Sequence, residues 1–326
     1  MTQLPITVTG HMLRLAAAVP MIGTSRWSLP LAVLYHGVQC NPGGTMLVDV
    51  FEQHIRFLKR QFTFVSANDD SPPRASERRR LVLTFDDGFQ NNADVVAPIL
   101  RRHNVPATFF VCTRHATPGK YLWFSYLRGL ERHFPGSTLK FRDVTFDMRA
   151  GRRQHSMRHL RELLLDLRPH PSAMYEAIDQ ELPRLEEFIS ASYLADTYAG
   201  MTVEHISGLA ADPLFSVGAH TCDHPFLTRC DRAEMRRQLE ENRVWIEATT
   251  GRPCDSIAYP AGEYNEELLG VCQDVGFARG YSVTSRFNHR SQLEIARMGV
   301  YSDSTAVLGF KLRWGHLMRA AGFPVG

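Results

Sequence analysis

The stretch Leu81-Val82-Leu83-Thr84-Phe85-Asp86-Asp87-Gly88 joins a run of apolar and β-branched residues to two carboxylates and a glycine. Such a run is typical of a strand buried on both faces of a parallel sheet, and Asp-Gly is typical of the turn that follows. Similar runs precede a polar or glycine-bearing turn at residues 31–35, 107–111, 216–219 and 256–259. The sequence therefore predicts a set of buried parallel strands.

Helical patterns lie between these strands. The clearest covers residues 231–250, with Asp231 and Glu234 as a capping box and Gly251 as terminator, and a second covers residues 265–276. This alternation predicts an α/β fold, either a doubly wound sheet or a barrel. Both place their functional groups at the carboxyl ends of the strands.

The alternation of strands and helices stops between residues 119 and 200. Arginine-rich helical patterns replace it there, for example over residues 158–167. We interpret this part as a helical insertion packed on or over the α/β domain. The predicted organisation is an N-terminal segment over 1–30, one domain over 31–310 interrupted by the insertion at 119–200, and a C-terminal tail over 311–326.

Composition excludes several classes of protein. The 326 residues are 44% hydrophobic with a net charge of +3, which allows a large core but is too weakly basic for a nucleic-acid partner. The six cysteines form no C-x-x-C pair, so neither a disulfide framework nor a thiolate zinc site is expected. Residues 13–23 are apolar but far short of the ~20 residues of a spanning helix, and a cleaved signal is not favoured. Peripheral membrane contact near Trp27 stays open.

Asp86 and Asp87 are the first candidates for chemistry. Adjacent carboxylates repel each other, yet one can bind a cation while the other acts as a base whose pKa that cation tunes. The alternative is a strand that ends in an Asp-Gly turn for backbone reasons alone. The pair therefore needs a second group of ligands to support it.

His220-Thr221-Cys222-Asp223-His224 supplies such a group after another predicted strand. Two neutral imidazoles with one carboxylate suit Zn²⁺ and leave positions open for water and substrate, which is typical of a catalytic site. Alternatively, each histidine satisfies a local hydrogen bond. Cys222 is interpreted as a packed neighbour, because thiolate ligation would be unusual there.

Two weaker candidates follow other strands. The turn Tyr259-Pro260-Ala261-Gly262 can expose backbone N–H groups to a developing oxyanion, or it simply joins a strand to the next helix. His36 follows the first predicted strand; a lone histidine is more often structural, but its expected place is on the same face as the other candidates.

Together these four segments resemble the polysaccharide deacetylases of carbohydrate esterase family 4, which contain the NodB homology domain. The resemblance covers residues 31–113 and 201–301 and implies a distorted parallel (β/α)7 TIM-like barrel. It also implies that Asp87, His220 and His224 ligate a divalent metal, most suitably Zn²⁺, and that Asp86 is the catalytic base. Ala261 would then offer the oxyanion N–H.

The chain departs from the family pattern at several positions. Ala258 stands where many members have an arginine, and Ala261 stands where many have a tyrosine. The late Leu-x-His that usually supplies the general acid is not found. The poly-N-acetylglucosamine deacetylases are similar in having a histidine near the N-terminus of a circularly permuted barrel, which assigns the acid to His36. Arg297 either replaces the missing arginine and orients Asp86 or is a surface residue.

The predicted function is metal-dependent removal of the N-acetyl group from an amino sugar in a glycan or glycoconjugate precursor, which releases acetate and a free amine. Hydrolysis of a non-sugar amide and a catalytically silent glycan-binding module are the alternatives. Tyr121, Trp123, Phe124 and Tyr126 either stack on a sugar or form the core of the insertion. We expect a cytoplasmic location, extending to the inner face of the membrane, with export and oligomeric state left open.

Overall fold

The computed structural model describes residues 30–40, 46–69, 71–72, 74, 77–167, 170–283 and 291–320. Of the predicted segments, residues 1–29 and 321–326 lie outside this range. The last helix, Thr305–Ala320, runs across the predicted boundary at residue 310. No helix among the described residues is long and apolar enough to span a membrane.

Seven parallel strands close into a barrel, as predicted. In chain order the strands of this sheet are β1 Leu31–Tyr35, β2 Thr63–Val65, β3 Arg80–Phe85, β4 Ala107–Val111, β7 Phe215–Ala219, β8 Ser256–Ala258, β9 Arg279–Ser282 and β10 Ile295–Gly299. Strand β1 pairs with β10 on one side and with β3 on the other, which completes the ring. Strand β2 lies outside the ring and pairs with the first half of β3.

Ten α-helices accompany these strands in the described part of the chain. They are α1 Val48–Gln61, α2 Ala97–His103, α3 Trp123–His133, α4 Arg153–Leu165, α5 Pro171–Glu181, α6 Ala191–Thr197, α7 Val203–Ala211, α8 Arg232–Thr250, α9 Glu266–Val275 and α10 Thr305–Ala320.

Alternate residues of the barrel strands pack against different layers. Leu81 and Leu83 join the large outer core between strands and helices, whereas Val82 joins a smaller cluster with Phe110 and Tyr281. Because Val82, Phe110 and Tyr281 come from β3, β4 and β9, this smaller cluster fills the interior of the ring. Both faces of β3 are buried, which explains its continuous apolar run.

The two clearest predicted helices end at their predicted caps. Asp231 accepts a hydrogen bond from the Glu234 backbone N–H, and Gly251 ends the helix in the left-handed conformation. The capping box is only half formed, because the Glu234 side chain accepts hydrogen bonds from Arg237 and Gln238 instead.

Three strands of the large sheet were not predicted, namely β2, β9 and β10. Strands β9 and β10 contain glycine and arginine in place of a continuous apolar run, so the pattern search passes over them. The polar residue in β10 is Arg297, which is fully buried and paired with a carboxylate. Local hydrophobicity cannot reveal a strand whose burial depends on a distant charge.

The insertion builds its own hydrophobic core from α3, α4, α5 and α6. It is not entirely helical, since Thr138–Phe141 (β5) and Val144–Asp147 (β6) form an antiparallel hairpin. Leu139 and Phe141 are buried between exposed neighbours, which is the alternation expected of a half-buried strand. Our helical interpretation of the insertion missed that two-residue period.

Candidate active site

The carboxyl ends of four barrel strands carry the predicted site residues. His36 follows β1, Asp86 and Asp87 follow β3, His220 follows β7, and the turn containing Ala261 follows β8. Adjacent strands in a parallel barrel bring their carboxyl ends to one rim. The side chains of one face therefore come from segments that are far apart in the sequence.

Asp87, His220 and His224 converge on one point. Their candidate ligand atoms all lie within 4.8 Å of one another. The Asp87 Oδ1 atom lies 3.3 Å from His220 Nε2 and 3.5 Å from His224 Nε2. A carboxylate oxygen and two imidazole nitrogens at these separations can share one cation.

The hydrogen bonds of His220 and Asp87 leave their ligand atoms available to a metal. His220 Nδ1 donates to the Ala258 carbonyl oxygen at 2.8 Å, so Nε2 of the neutral imidazole presents its lone pair to Asp87. Asp87 Oδ1 is buried and makes no hydrogen bond with the described residues. A carboxylate oxygen without a hydrogen bond that faces a ring nitrogen lone pair can bind a cation between them, and this donor set fits Zn²⁺.

The charges at the site support the same interpretation. Burial raises the pKa of Asp87, but the imidazoles of His220, His36 and His224 outweigh it and hold that pKa well below its usual range. Burial lowers the pKa of His224 to about 4, so its imidazole is neutral at pH 7. Burial also lowers the pKa of His220, but Asp86 and Asp87 outweigh it and raise that pKa. Asp87 is therefore ionised and His224 neutral, and these are the protonation states that metal ligation requires.

Asp86 is held by a buried arginine. Arg297 Nη1 and Nη2 donate to Oδ1 and Oδ2 of Asp86 at 2.6 and 2.7 Å, and Nη1 also donates to the Thr84 hydroxyl. The guanidinium lies over the rings of Phe110 and Tyr281 inside the barrel. Burial raises the pKa of Asp86, but Arg297 outweighs it and lowers that pKa. Of our two interpretations of Arg297, the orienting residue is confirmed and the surface residue is wrong.

Several residues at this rim have left-handed backbone conformations that L-residues rarely adopt. The φ angles of Asp87, Thr221, His224 and Ala261 are 75°, 70°, 52° and 57°. Each such angle costs of the order of 1 kcal/mol or more, and it persists only where the surroundings impose it. Strain of this kind concentrates at functional sites.

Two buried amides on α8, missed by the sequence analysis, hold the strained histidine loop. Gln238 Oε1 accepts hydrogen bonds from the backbone N–H groups of Cys222 and Asp223, at 3.0 and 2.9 Å. Asn242 Oδ1 accepts from the His220 N–H at 3.0 Å. Gln238 and Asn242 are one turn apart and fully buried. The signal that could have identified them is their spacing, because two polar residues four positions apart lie on the same face of a helix.

The loop after β3 is tied to the end of the insertion. His115 is buried with its two ring nitrogens 3.0 and 2.9 Å from the carbonyl oxygens of Asp87 and Tyr198. Phe89 forms an antiparallel bridge with Gly200, and the Met201 N–H donates to the Gly88 carbonyl oxygen. The insertion therefore supports the backbone that presents Asp87.

His36 and Ala261 lie at the same rim with fewer contacts. The His36 ring is partly exposed and stacks on Tyr301 with a centroid distance of 6.0 Å. Because β1 pairs with β3 in parallel and Tyr35 lies opposite Phe85, His36 and Asp86 follow neighbouring strand ends. Ala261 is exposed, three residues after the carbonyl that orients His220. Tyr301 was not identified from the sequence.

The aromatic residues of the insertion divide between its core and the site. Trp123 and Tyr126 are buried in the insertion core, as expected of a helical cap. Tyr121 donates a hydrogen bond to Glu186 at 2.9 Å. Phe124 packs edge-on against His224 with a centroid distance of 5.0 Å. Of the four, Phe124 is the one whose ring contacts a predicted metal ligand.

Comparisons with known proteins were made against families, curated sequences and solved structures. A model described as polysaccharide deacetylase matches residues 74–129 and 171–280, just over half of the chain. The search of curated proteins found no match. Among solved structures, the chain is similar to the deacetylase PplD of Streptococcus pyogenes in complex with acetate, at 15% identity and a TM-score of 0.53 over 90% of this chain and 98% of that one.

Two further solved structures share the fold. IcaB of Ammonifex degensii is 14% identical with a TM-score of 0.55, and the match covers 89% of this chain and 98% of that one. The BpsB deacetylase domain of Bordetella bronchiseptica is 17% identical with a TM-score of 0.50, covering 83% and 95%.

Proposed function

The chain belongs to the polysaccharide deacetylase family, and from this premise we propose that it is a metal-dependent hydrolase that removes the N-acetyl group from an amino sugar. The observation that carries the metal dependence is the convergence of three ligand atoms within 4.8 Å of one another. One of the Asp87 carboxylate oxygens, Oδ1, is buried and accepts no hydrogen bond from the described residues. The substrate is a glycan or a glycoconjugate precursor, and the products are acetate and a free amine.

Asp87, His220 and His224 would hold the metal. When bound, Zn²⁺ supplies Lewis-acid chemistry, because it lowers the pKa of a water molecule and polarises a carbonyl oxygen. The Ala258 carbonyl fixes the His220 tautomer that ligation requires, and the amides of Gln238 and Asn242 hold the loop in place.

Asp86 would accept a proton from the water that attacks the acetamide carbonyl carbon. Its ion pair with Arg297 keeps it ionised in spite of its burial, and both carboxylate oxygens are fixed in direction. Asp86 is therefore suited to act as a base, whereas Asp87 faces the two histidines.

The remaining roles fall to Ala261 and His36. The Ala261 N–H would donate to the carbonyl oxygen as negative charge develops on it, and its left-handed conformation belongs to a turn built for that exposure. His36 would give a proton to the nitrogen as the C–N bond breaks. Its partial exposure and its position beside the end of β3, which carries the carboxylates, support this role.

Acetate release tests this function. We would assay N-acetylglucosamine oligomers and nucleotide- and lipid-linked N-acetyl sugars, with chelator, after added Zn²⁺, and with bound metal measured in parallel. Wild type should release acetate only when it is loaded with zinc. Asp86→Asn should bind zinc without releasing acetate, and Asp87→Ala should bind little zinc. Asp274→Asn, an exposed aspartate on α9, is the matched control and should behave as wild type.

Two outcomes would count against the proposal. Release that persists in Asp86→Asn would remove Asp86 as the base. No release from any sugar, despite one bound zinc per chain, would favour hydrolysis of a non-sugar amide.

A further inference from the structure

A groove opens in the insertion between α3 and α4. Its volume is about 440 Å³, and its lining includes Trp123, Phe124, Arg128, Glu131, Arg158 and Arg161. The floor is apolar, with Trp123 mostly buried, and the rim is polar. A mixed lining of this kind can hold a small organic ligand.

The rim carries unbalanced positive charge. Arg128, Arg158 and Arg161 are exposed, and none forms an ion pair with a carboxylate of the described residues. Arg158 and Arg161 are also neighbours on α4, where like charges repel. Arg161 lies over the Trp123 ring at 5.7 Å, so its guanidinium is directed to the groove. Glu131 is the carboxylate that lines the groove beside them, which leaves a formal excess of cations.

The groove adjoins the candidate active site at Phe124. Phe124 lines the groove on one side, and its ring contacts His224 on the other. Arg128 follows Phe124 by one helical turn, about 6 Å along the axis of α3. A sugar whose acetamide lies at His224 would thus place its neighbouring substituent within reach of the arginine side chains.

We propose that this groove binds the diphosphate of a glycosyl diphosphate, so that the substrate is an N-acetylamino sugar joined to a nucleotide or to a lipid through that group. This inference rests on the proposed deacetylation and names its substrate class. Arginine matches phosphate oxygens with paired N–H donors, and a diphosphate would neutralise the excess charge at the rim. A neutral sugar polymer offers the three arginines no such partner.

The test measures binding by titration calorimetry in the zinc-loaded full-length chain carrying Asp86→Asn, which prevents turnover. The probes are UDP-N-acetylglucosamine, farnesyl-diphosphate N-acetylglucosamine and the neutral N,N′-diacetylchitobiose. Arg128→Gln/Arg158→Gln/Arg161→Gln removes the groove charges. A charge-matched control, Arg60→Gln/Arg232→Gln/Arg252→Gln, removes three exposed arginines that do not line the groove.

Loss of the groove arginines should weaken binding of the diphosphate sugars about 10-fold to 100-fold, with less than about 2-fold change in the control. Added salt should weaken the same binding. The tighter of the two diphosphate probes identifies the nucleotide or the lipid as the natural carrier, and equal affinities confine recognition to the sugar diphosphate.

Equal binding of the diphosphate probes by the groove variant and its parent would overturn the inference. So would chitobiose binding as tightly as either diphosphate sugar. Acetate release from the same probes, measured with the zinc-loaded wild type, separates this failure from failure of the proposed function. Release from chitobiose by the wild type without arginine-dependent binding would refute the groove alone. Arginine-dependent binding without release from any probe by the wild type would refute deacetylation alone.

Discussion

The buried ion pair between Asp86 and Arg297 gives the sharpest test of how the barrel holds its site. Arg297→Met removes the guanidinium while keeping a side chain of similar length inside the ring. Asp86 is 3% exposed and Arg297 is 0% exposed. A charge left without its partner at this position therefore cannot be hydrated. Breaking such a pair leaves an uncompensated buried charge and should lower the free energy of unfolding by about 3–5 kcal/mol.

Substituting Asp86, alone and together with Arg297, separates the free energy of the ion pair from the contributions of the two side chains. Asp86→Leu should cost a similar amount, because it strands the guanidinium beside Thr84. Asp86→Leu/Arg297→Met removes both charges and should lie within about 2 kcal/mol of wild type. The double variant should therefore be more stable than either single variant.

Urea unfolding of chelator-treated protein measures these free energies of unfolding. Circular dichroism and tryptophan fluorescence must give the same single transition, which shows that unfolding is two-state. Arg232→Met is the control, since its ion pair with Asp274 is about half exposed and should contribute about 0–1 kcal/mol. The reasoning would be refuted if Arg297→Met cost no more than this control, or if the losses of the two single variants simply added in the double variant.

Three further predictions concern the surroundings of the site. Gln238→Leu should weaken zinc binding about 10-fold to 100-fold in a chelator competition, whereas exposed Gln273→Leu should not. Gly200→Ala should lower the free energy of unfolding by about 3 kcal/mol, because its Cβ would lie 1.8 Å from the His115 carbonyl oxygen; Gly208→Ala, in open space on α7, should be neutral or stabilising. Zinc at 100 times its Kd should raise the free energy of unfolding by about 2.7 kcal/mol, and an unchanged thermal midpoint would contradict the metal site.

Local sequence determined much of the fold. Continuous apolar runs located β1, β3, β4, β7 and β8, and their polar ends placed Asp87 and His220 at one rim before any contact was known. Asp231 and Gly251 likewise mark the ends of α8 because caps depend on a few neighbouring backbone groups. Short sequence patterns predict strands and helix caps because these features depend on only a few neighbouring residues.

The tertiary structure alone decided which groups complete the site. Arg297 meets Asp86 across 211 positions, and the Ala258 carbonyl selects the His220 tautomer across 38. Neither pairing leaves a local pattern, because strand register determines it. Phe124 reaches His224 only through the packing of the insertion onto the barrel. Sequence periodicity shows which face of a strand or helix is buried, but the partner on that face is set when distant segments close the barrel and bury the charges together.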